Sequence, residues 1–520
     1  MSESRREFLR FVVAGTVAGT VAGKVAASCP FDHSLLLAAP DAGPAKVDGD
    51  HFEVCHAVRD GKTFARPPVS KRYEVIIVGG GISGMSAAHY LPSKDFLLLE
   101  KEEHWGGNAY REEYEHQGFA TGSAFDFEGS EAAKLASELG LKQLPVNFPD
   151  PTIVNGKWVA DTWRGGLDEL AYSKEIRDGF KKFKERALAL KVESNVALYD
   201  SEPLTKYLAG LPHEVEQWWD GWGPSNWGAR AADTSAYVAL VDFAGMAGPN
   251  RKDERVTLPG GNGAITKALT SHLLAKYSDR MIAGAAVVAV EQQKDGVNVT
   301  YSHEGKLTTV AGKVAIMATP KFITALLVSD IPNAQSQAMQ AIRFCPYPVI
   351  NMIFDKPVYN RGFDTWCPGN TFTDFIVADW TVQRNDPSYK QKDNILTFYT
   401  PLHEEDRHKM LTVEGCQKIA ASALHDFKKL LPEFDVDPIE IHFYRRGHPM
   451  FMATPGTYTK TIPAARVPMD RIFFANTDSV GPESLASGGV VAAQKGVEWA
   501  QKRLAGKTAM ASAQSVGFSA

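Results

Sequence analysis

One junction constrains this chain more than any other feature. Tyr73-Glu74-Val75-Ile76-Ile77-Val78 runs directly into Gly79-Gly80-Gly81-Ile82-Ser83-Gly84. The first run is short, apolar and β-branched, the pattern of a strand buried in a parallel sheet. The Ala-rich stretch Met85 to Leu91 reads as a helix ended by Pro92, and Phe96-Leu97-Leu98-Leu99 as a second strand closing on Glu100. Gly79 allows the tight turn out of the strand, Gly81 lets a pyrophosphate approach the backbone, and Gly84 lets the helix pack close to the sheet. Ile82 and Ser83 open that helix, whose unpaired N–H groups and partial positive charge face the phosphates. Glu100 can take both ribose hydroxyls of an adenosine, and its charge argues against NADP. A lone glycine triplet is weak evidence; strand, glycines, helix, strand and acid in this order make a Rossmann-type dinucleotide fold the expectation.

A second glycine pair follows in Glu100-Lys101-Glu102-Glu103-His104-Trp105-Gly106-Gly107. This arrangement resembles the flavin-containing amine oxidase superfamily. The resemblance implies noncovalent FAD, with Gly106 and Gly107 bringing N–H groups to the pyrophosphate and Lys101 and Asn108 alongside; Asn108 departs from the family's usual Arg. Leu258-Pro259-Gly260-Gly261-Asn262-Gly263 looks like the family's return turn into the FAD domain. Ala285 to Val290 and Val297 to Tyr301 flank a turn at Lys294-Asp295-Gly296, a hairpin pattern, and by resemblance Val287 or Val288 lies beside the adenine. Val314 to Pro320 is a further buried strand and turn. Near the C-terminus, Arg471 to Asp478 and Ser487-Gly488-Gly489 resemble the closing strand, acid and helix. By resemblance Asp478 lies near the ribityl chain, and the helix start at Ser487, Gly488 and Gly489 aims N–H groups at the flavin N1–C2=O edge, favouring the anionic reduced flavin. Asn476 replaces a usual Gly.

The expected fold is α/β: a discontinuous FAD-binding domain at 71–155, 256–330 and 455–505, interleaved with an α+β substrate domain at 156–255 and 331–454. A chain of 520 residues is too long for one ordinary core. Residues 29–70 read as an extended segment and 506–520 as a tail.

The resemblance narrows further in two places. Many amine oxidases carry a Lys that reaches a water at flavin N5, on a strand resembling Tyr347 to Pro357; Asn351 takes that position here, which favours a dehydrogenase over an oxidase. His448 is the best polar candidate over the flavin, to hold substrate or accept its proton, or else to order its loop. The family's aromatic pair is not evident; one of its positions aligns near Ser484. Asp50 to Gly61 resembles the segment before the FAD domain in bacterial spermidine dehydrogenases, which carry haem b beside FAD; His56 is then a haem ligand, or else caps a turn beside a buried Cys55. Trp218 to Trp227 reads as an aromatic loop that walls a pocket, recognises a cation through its ring faces, or packs in the core. Lys174 to Glu193 reads as an amphipathic helix.

These readings imply an amine, polyamine-like, as substrate and a cytochrome or quinone as acceptor. A desaturase or isomerase of an apolar substrate and a non-catalytic electron-relay subunit are the alternatives. A net charge of −5 without a basic block after the first ten residues argues against nucleic acid. Five cysteines without a CxxC pair exclude a zinc knuckle, a thioredoxin motif and a CxxCH haem site; one disulfide is compatible with export. Arg5-Arg6 ahead of the mildly apolar run Phe11 to Gly23 resembles a twin-arginine signal over 1–28, which implies a periplasmic protein, with Cys29 a candidate lipid anchor.

Overall fold

The computed structural model describes residues 43–115, 117–248, 253–481 and 485–506. Its first sheet is built on the strand Val69–Val78. Val75 and Ile77 enter one core cluster while Ile76 and Val78 enter the other, as the two-residue period of a strand requires. Phe96–Leu99 alternates likewise, with Phe96 and Leu98 on one side and Leu97 and Leu99 on the other. Both faces are covered, which is why these strands are continuously apolar.

The sheet has seven strands. Met281–Ile282, Phe96–Leu99, Val69–Val78 and Lys306–Met317 run parallel in that spatial order. Lys306–Met317 serves two partners: its first half pairs antiparallel with Gly296–His303, and its end pairs parallel with Ile472–Phe474. A hairpin layer and a parallel layer therefore share one strand. Helices Ile82–Tyr90, Gly263–Tyr277 and Ala486–Leu504 bury their apolar residues against one face.

The second sheet has eight strands, in the order Lys46–Gly49, Glu440–Arg445, Val349–Phe354, Asn394–Tyr399, Asp374–Val377, Asp364–Trp366, Thr152–Val154, Lys157–Val159. One face is apolar and lies under the helix Val413–Leu430, where Phe427 packs on Phe375 and Phe398. Residues directly opposite on paired strands share a face. By register the other face carries Asn351, Thr397, Ile376 and Asp364 in one row, and Val349, Tyr399, Asp374 and Trp366 in the next.

Four sequence expectations need correction. The segment expected to be extended contains the strand Lys46–Gly49 and the helix Glu53–Arg59; no Pro falls between Pro44 and Pro67, and Glu53 and Arg59 suit the two ends of a helix dipole. The nucleotide strand begins at Val69, ahead of 71. Thr152–Val154, assigned to the FAD domain, pairs with the substrate sheet at Trp366. Trp218 to Trp227 is not a loop but the end of the helix His213–Trp227. Gly221, Gly223 and Pro224 disguise it; they are buried, and packing overrides their propensity. Cys55, Cys345, Cys367 and Cys416 are free thiols. The signal segment, Cys29 and Ser484 lie outside the described residues.

Candidate active site

The glycine turn is a cradle. Gly79 has φ +106°, and a Cβ there would meet Ala318 O at 2.7 Å. At Gly84 a Cβ would overlap the Gly79 carbonyl oxygen. Gly81 differs: its Cβ would meet nothing nearer than Gly107 Cα at 3.9 Å. No protein atom demands a glycine at 81, whereas a pyrophosphate passing over the backbone would. Gly106 donates its N–H to Gly80 O at 3.0 Å, which lays the second glycine pair beside the first. Gly107 (φ +56°) comes so close that a Cβ would lie 3.1 Å from Gly81 Cα.

Helix Ile82–Tyr90 has no side-chain cap at Gly81, so its first N–H groups are left for a ligand. The N-terminus of Ala486–Leu504 abuts it, for a Cβ at Gly489 would meet Ile82 Cγ2 and Ser83 Oγ at 2.9 Å. The two helix starts therefore lie side by side, and these residues fit FAD. Part of the second start is already used: Ser487 donates its N–H to Asp126 Oδ2 at 3.0 Å, and its hydroxyl accepts the Glu131 N–H at 3.1 Å. The amides of Gly488 and Gly489 follow it in the first turn.

Glu100 is buried at the strand tip and accepts the N–H groups of Gly80 at 2.6 Å and Glu102 at 2.9 Å. Burial pushes its carboxyl up, and these amides hold it toward the cradle with lone pairs to spare. Lys101 is held by Glu102 and by Asp50 at 4.0 Å rather than left free for a phosphate. Burial opposes its charge, but Asp50, Glu102 and Glu100 outweigh that and raise its pKa. Val288 sits at a bulge between Val287 and Ala289, where a strand re-aims its side chains; Val288 is buried yet joins neither core cluster.

Asp478 is fully buried, and its carboxylate accepts the backbone N–H and the ammonium of Lys321, each at 2.6 Å. Lys321 is itself fully buried, and desolvation lowers its pKa against the pull of Asp478. Sequence reasoning missed Lys321; the signal was a lone Lys directly after the turn Thr319-Pro320 that ends an apolar strand.

Asn351 is fully buried on the polar face of the second sheet, donating to Ala120 O at 3.0 Å and accepting the Thr397 hydroxyl at 2.6 Å. Beside it Tyr399 donates to Gly122 O at 2.7 Å, and its ring meets Tyr347 edge-on at 5.8 Å. Asn108 joins this region to the cradle: its amide donates to Pro449 O at 2.9 Å and its own carbonyl accepts the Ser123 N–H at 3.3 Å. His448, next to Pro449, packs on Phe322 at 4.6 Å. Burial, aided by the Arg407 cation, pushes His448 down to about 4. Asp50 accepts the Gly447 N–H at 2.7 Å and Arg407 donates to Gly447 O at 3.0 Å, so the loop is ordered by its neighbours.

Arg446 was also missed. It is 3% exposed, donates to Thr121 Oγ1 at 3.1 Å, and keeps a buried Nε without a partner. A buried cation that reaches Thr121 and acts on His104 is suited to the negative charge of the cofactor. His56 lies on the helix Glu53–Arg59, its ring 4.7 Å from Phe52, with Arg59, Asp60, Glu53 and Asp50 as its charged neighbours. Cys55 lies among Lys101, Asp50, Glu102 and Glu100.

The family model for flavin containing amine oxidoreductases matches residues 82–495. The chain is similar to the oxidoreductase PigB of Serratia sp. (strain ATCC 39006), at 23% identity covering 81% of this chain and 74% of that protein. It is similar to flavin-containing amine oxidase A of Canis lupus familiaris at 24% identity, covering 78% and 80%. In fold it resembles putrescine oxidase bound to putrescine (TM-score 0.63, 16% identity, 82% of this chain and 98% of that one). Cyclohexylamine oxidase from Brevibacterium oxydans IH-35A aligns similarly (TM-score 0.64, 18% identity, 83% and 99%). With a cradle shaped for FAD and a match spanning both sheets, the chain belongs to the flavin-containing amine oxidoreductase family and is an FAD-dependent oxidoreductase.

Proposed function

We propose that the protein is an amine dehydrogenase acting on a polyamine-like substrate, exported by the twin-arginine route to the periplasm, and delivering electrons to a cytochrome or quinone rather than to O₂. The observation that carries the amine reading is the polar face of the second sheet, where Asn351 and Tyr399 hydrogen-bond the loop that leads to the cradle and Tyr347 and the buried Asp374 stand beside Tyr399. A desaturase of an apolar substrate would want that face free of acids.

Bound FAD would supply the hydride acceptor at N5. Residues of the polar face position the amine and exclude water. Tyr347 and Tyr399 present rings and hydroxyls; burial keeps both phenols protonated. With its pKa near 4, His448 is neutral at pH 7, so it offers an acceptor and no competing cation. Asn351 cannot carry the charge of a lysine, and both ends of its amide are engaged, which supports the dehydrogenase mode.

Reoxidation kinetics test the acceptor. Amine-reduced enzyme is expected to reoxidise slowly in air and fast with a quinone or cytochrome c; fast reoxidation by O₂ alone would make it an oxidase. The spectrum should show flavin bands; a Soret band beside them would mark His56 as a haem ligand.

A further inference from the structure

An alkylamine gives up hydride as the neutral base, yet it reaches the protein at pH 7 as an ammonium. One proton must therefore leave the amine before each hydride transfer. The groups that face the amine take it poorly. Asn351 does not titrate, burial keeps Tyr347 and Tyr399 protonated, and His448, at about 4, is a weak base.

A hydrogen-bonded chain leads away from this face. Tyr347 Oη lies 2.7 Å from Ser225 Oγ, on the helix His213–Trp227. Ser225 also hydrogen-bonds the carboxylate of Asp374. A serine hydroxyl has one hydrogen to give. Ser225 gives it to the carboxylate, so Tyr347 is the donor to Ser225. Both hydroxyl hydrogens then point the same way, from Tyr347 toward Asp374.

The chain ends on a pair of acids. Asp374 and Asp364 stand on the paired strands Asp374–Val377 and Asp364–Trp366 and hydrogen-bond each other. They are 2% and 3% exposed. Two carboxyl groups this close titrate as a unit that shares a proton. Asp374 also accepts the Thr373 hydroxyl at 2.5 Å. The other titratable groups that act on the pair are Asp150, Arg255, Cys367, Tyr347 and Tyr399. Arg255 is the one cation among these, and it is shared between Asp150 at 2.7 Å and Asp253 at 2.8 Å. Burial, with Asp150 adding to it, raises Asp374 to about 7. A carboxyl group in that range both takes and releases a proton at neutral pH.

We propose that Tyr347 and Ser225 form a relay that delivers the ammonium proton of the substrate to the Asp364–Asp374 pair before hydride transfer. This rests on the amine reading above and adds to it a destination for the proton. The N–H bond of the ammonium breaks as Tyr347 Oη takes its proton. The Tyr347 hydrogen passes to Ser225 Oγ, and the Ser225 hydrogen passes to the Asp374 carboxylate. The amine is left neutral, both hydroxyls are regenerated, and the acid pair gains one proton and loses one negative charge. No electron moves in this step. Tyr347 meets the amine, and Ser225 and Asp374 act through it.

The test follows anaerobic reduction of FAD-loaded enzyme by saturating spermidine, from about pH 5 to 9, a range that brackets the titration of the pair. The wild-type rate should rise about ten-fold per pH unit on the acid side and level off above neutrality. Asp374→Asn should lose that limb and run about 100-fold slower on the plateau, the scale of one general base, with FAD content unchanged. Ser225→Ala should show the same loss with both acids in place, and Ser225→Thr, which keeps the hydroxyl, should restore the rate and the limb. A wild-type rate that does not change with pH overturns the relay and needs no variant that must fold. A limb that persists in both Asp374→Asn and Ser225→Ala also overturns it, and leaves the amine reading intact. If no amine reduces the flavin, the amine reading falls and the relay with it.

Discussion

At the scale of single residues, two glycines of one turn have different reasons to be glycine. Gly81→Ala meets no protein atom nearer than 3.9 Å, so it should leave the apoprotein as stable as wild type and weaken FAD binding by ten-fold or more, about 1.4 kcal/mol. Gly84→Ala drives a methyl into the Gly79 carbonyl and should cost about 3 kcal/mol of stability. Denaturant melts of apoprotein beside FAD titrations separate the two; equal behaviour in both assays would contradict the assignment. Arg446→Met should weaken FAD binding without abolishing folding, measured as flavin fluorescence released on dilution. The glycines were legible in the sequence because backbone geometry allows few alternatives. Arg446 was not, because its role depends on a strand more than three hundred residues downstream of the glycine turn and on what that strand buries.

At the scale of elements, Lys321 and Asp478 clamp the turn after Lys306–Met317 to the turn after Ile472–Phe474. Removing one partner leaves a buried charge, so Lys321→Met should cost about 3–5 kcal/mol. The double variant Lys321→Met with Asp478→Asn should recover part of that loss; a fully additive double variant would refute the clamp. The apolar strands and the hairpin at Lys294-Asp295-Gly296 could be read in advance because their periodicity is local. The helix His213–Trp227 could not, since its glycines and proline signal a loop and only burial explains them. The helix Glu53–Arg59 was hidden for a similar reason, lying in a stretch whose flanking prolines suggested extended chain.

At the scale of the whole molecule, buried titratable groups set a pH window for the fold. His448 is depressed from 6.5 to about 4; its contribution is present above pH 6.5 and is lost as pH falls through 4. Glu102 is brought from 4.5 to about 2 by Lys101 and His51 against its own burial; its contribution is present above pH 4.5 and is lost as pH falls through 2. Asp374 is raised by burial from 3.8 to about 7; its contribution is present below pH 4 and is lost as pH rises through 7, titrating jointly with Asp364. Melting temperatures of the apoprotein should therefore fall on both sides of mildly acidic pH. Between pH 4 and 6.5 the His448 and Asp374 contributions oppose each other, so His448→Phe should make the melting temperature fall more steeply as pH rises through that window and Asp374→Asn should make it rise; unchanged profiles would contradict the burial described.

The joining of these groups across two sheets accounts for what the sequence concealed. Each acid or tyrosine alone is an unremarkable strand residue, and register alone sets Asn351, Tyr399, Asp374 and Asp364 on one face. In the proposed reaction this face presents an amine to a flavin in the glycine cradle. The most direct measurement is the visible spectrum of FAD-loaded enzyme, without oxygen, before and after adding spermidine and simple amines. The flavin bands should bleach with an amine; a flavin that stays oxidised with every amine would contradict the proposed reaction.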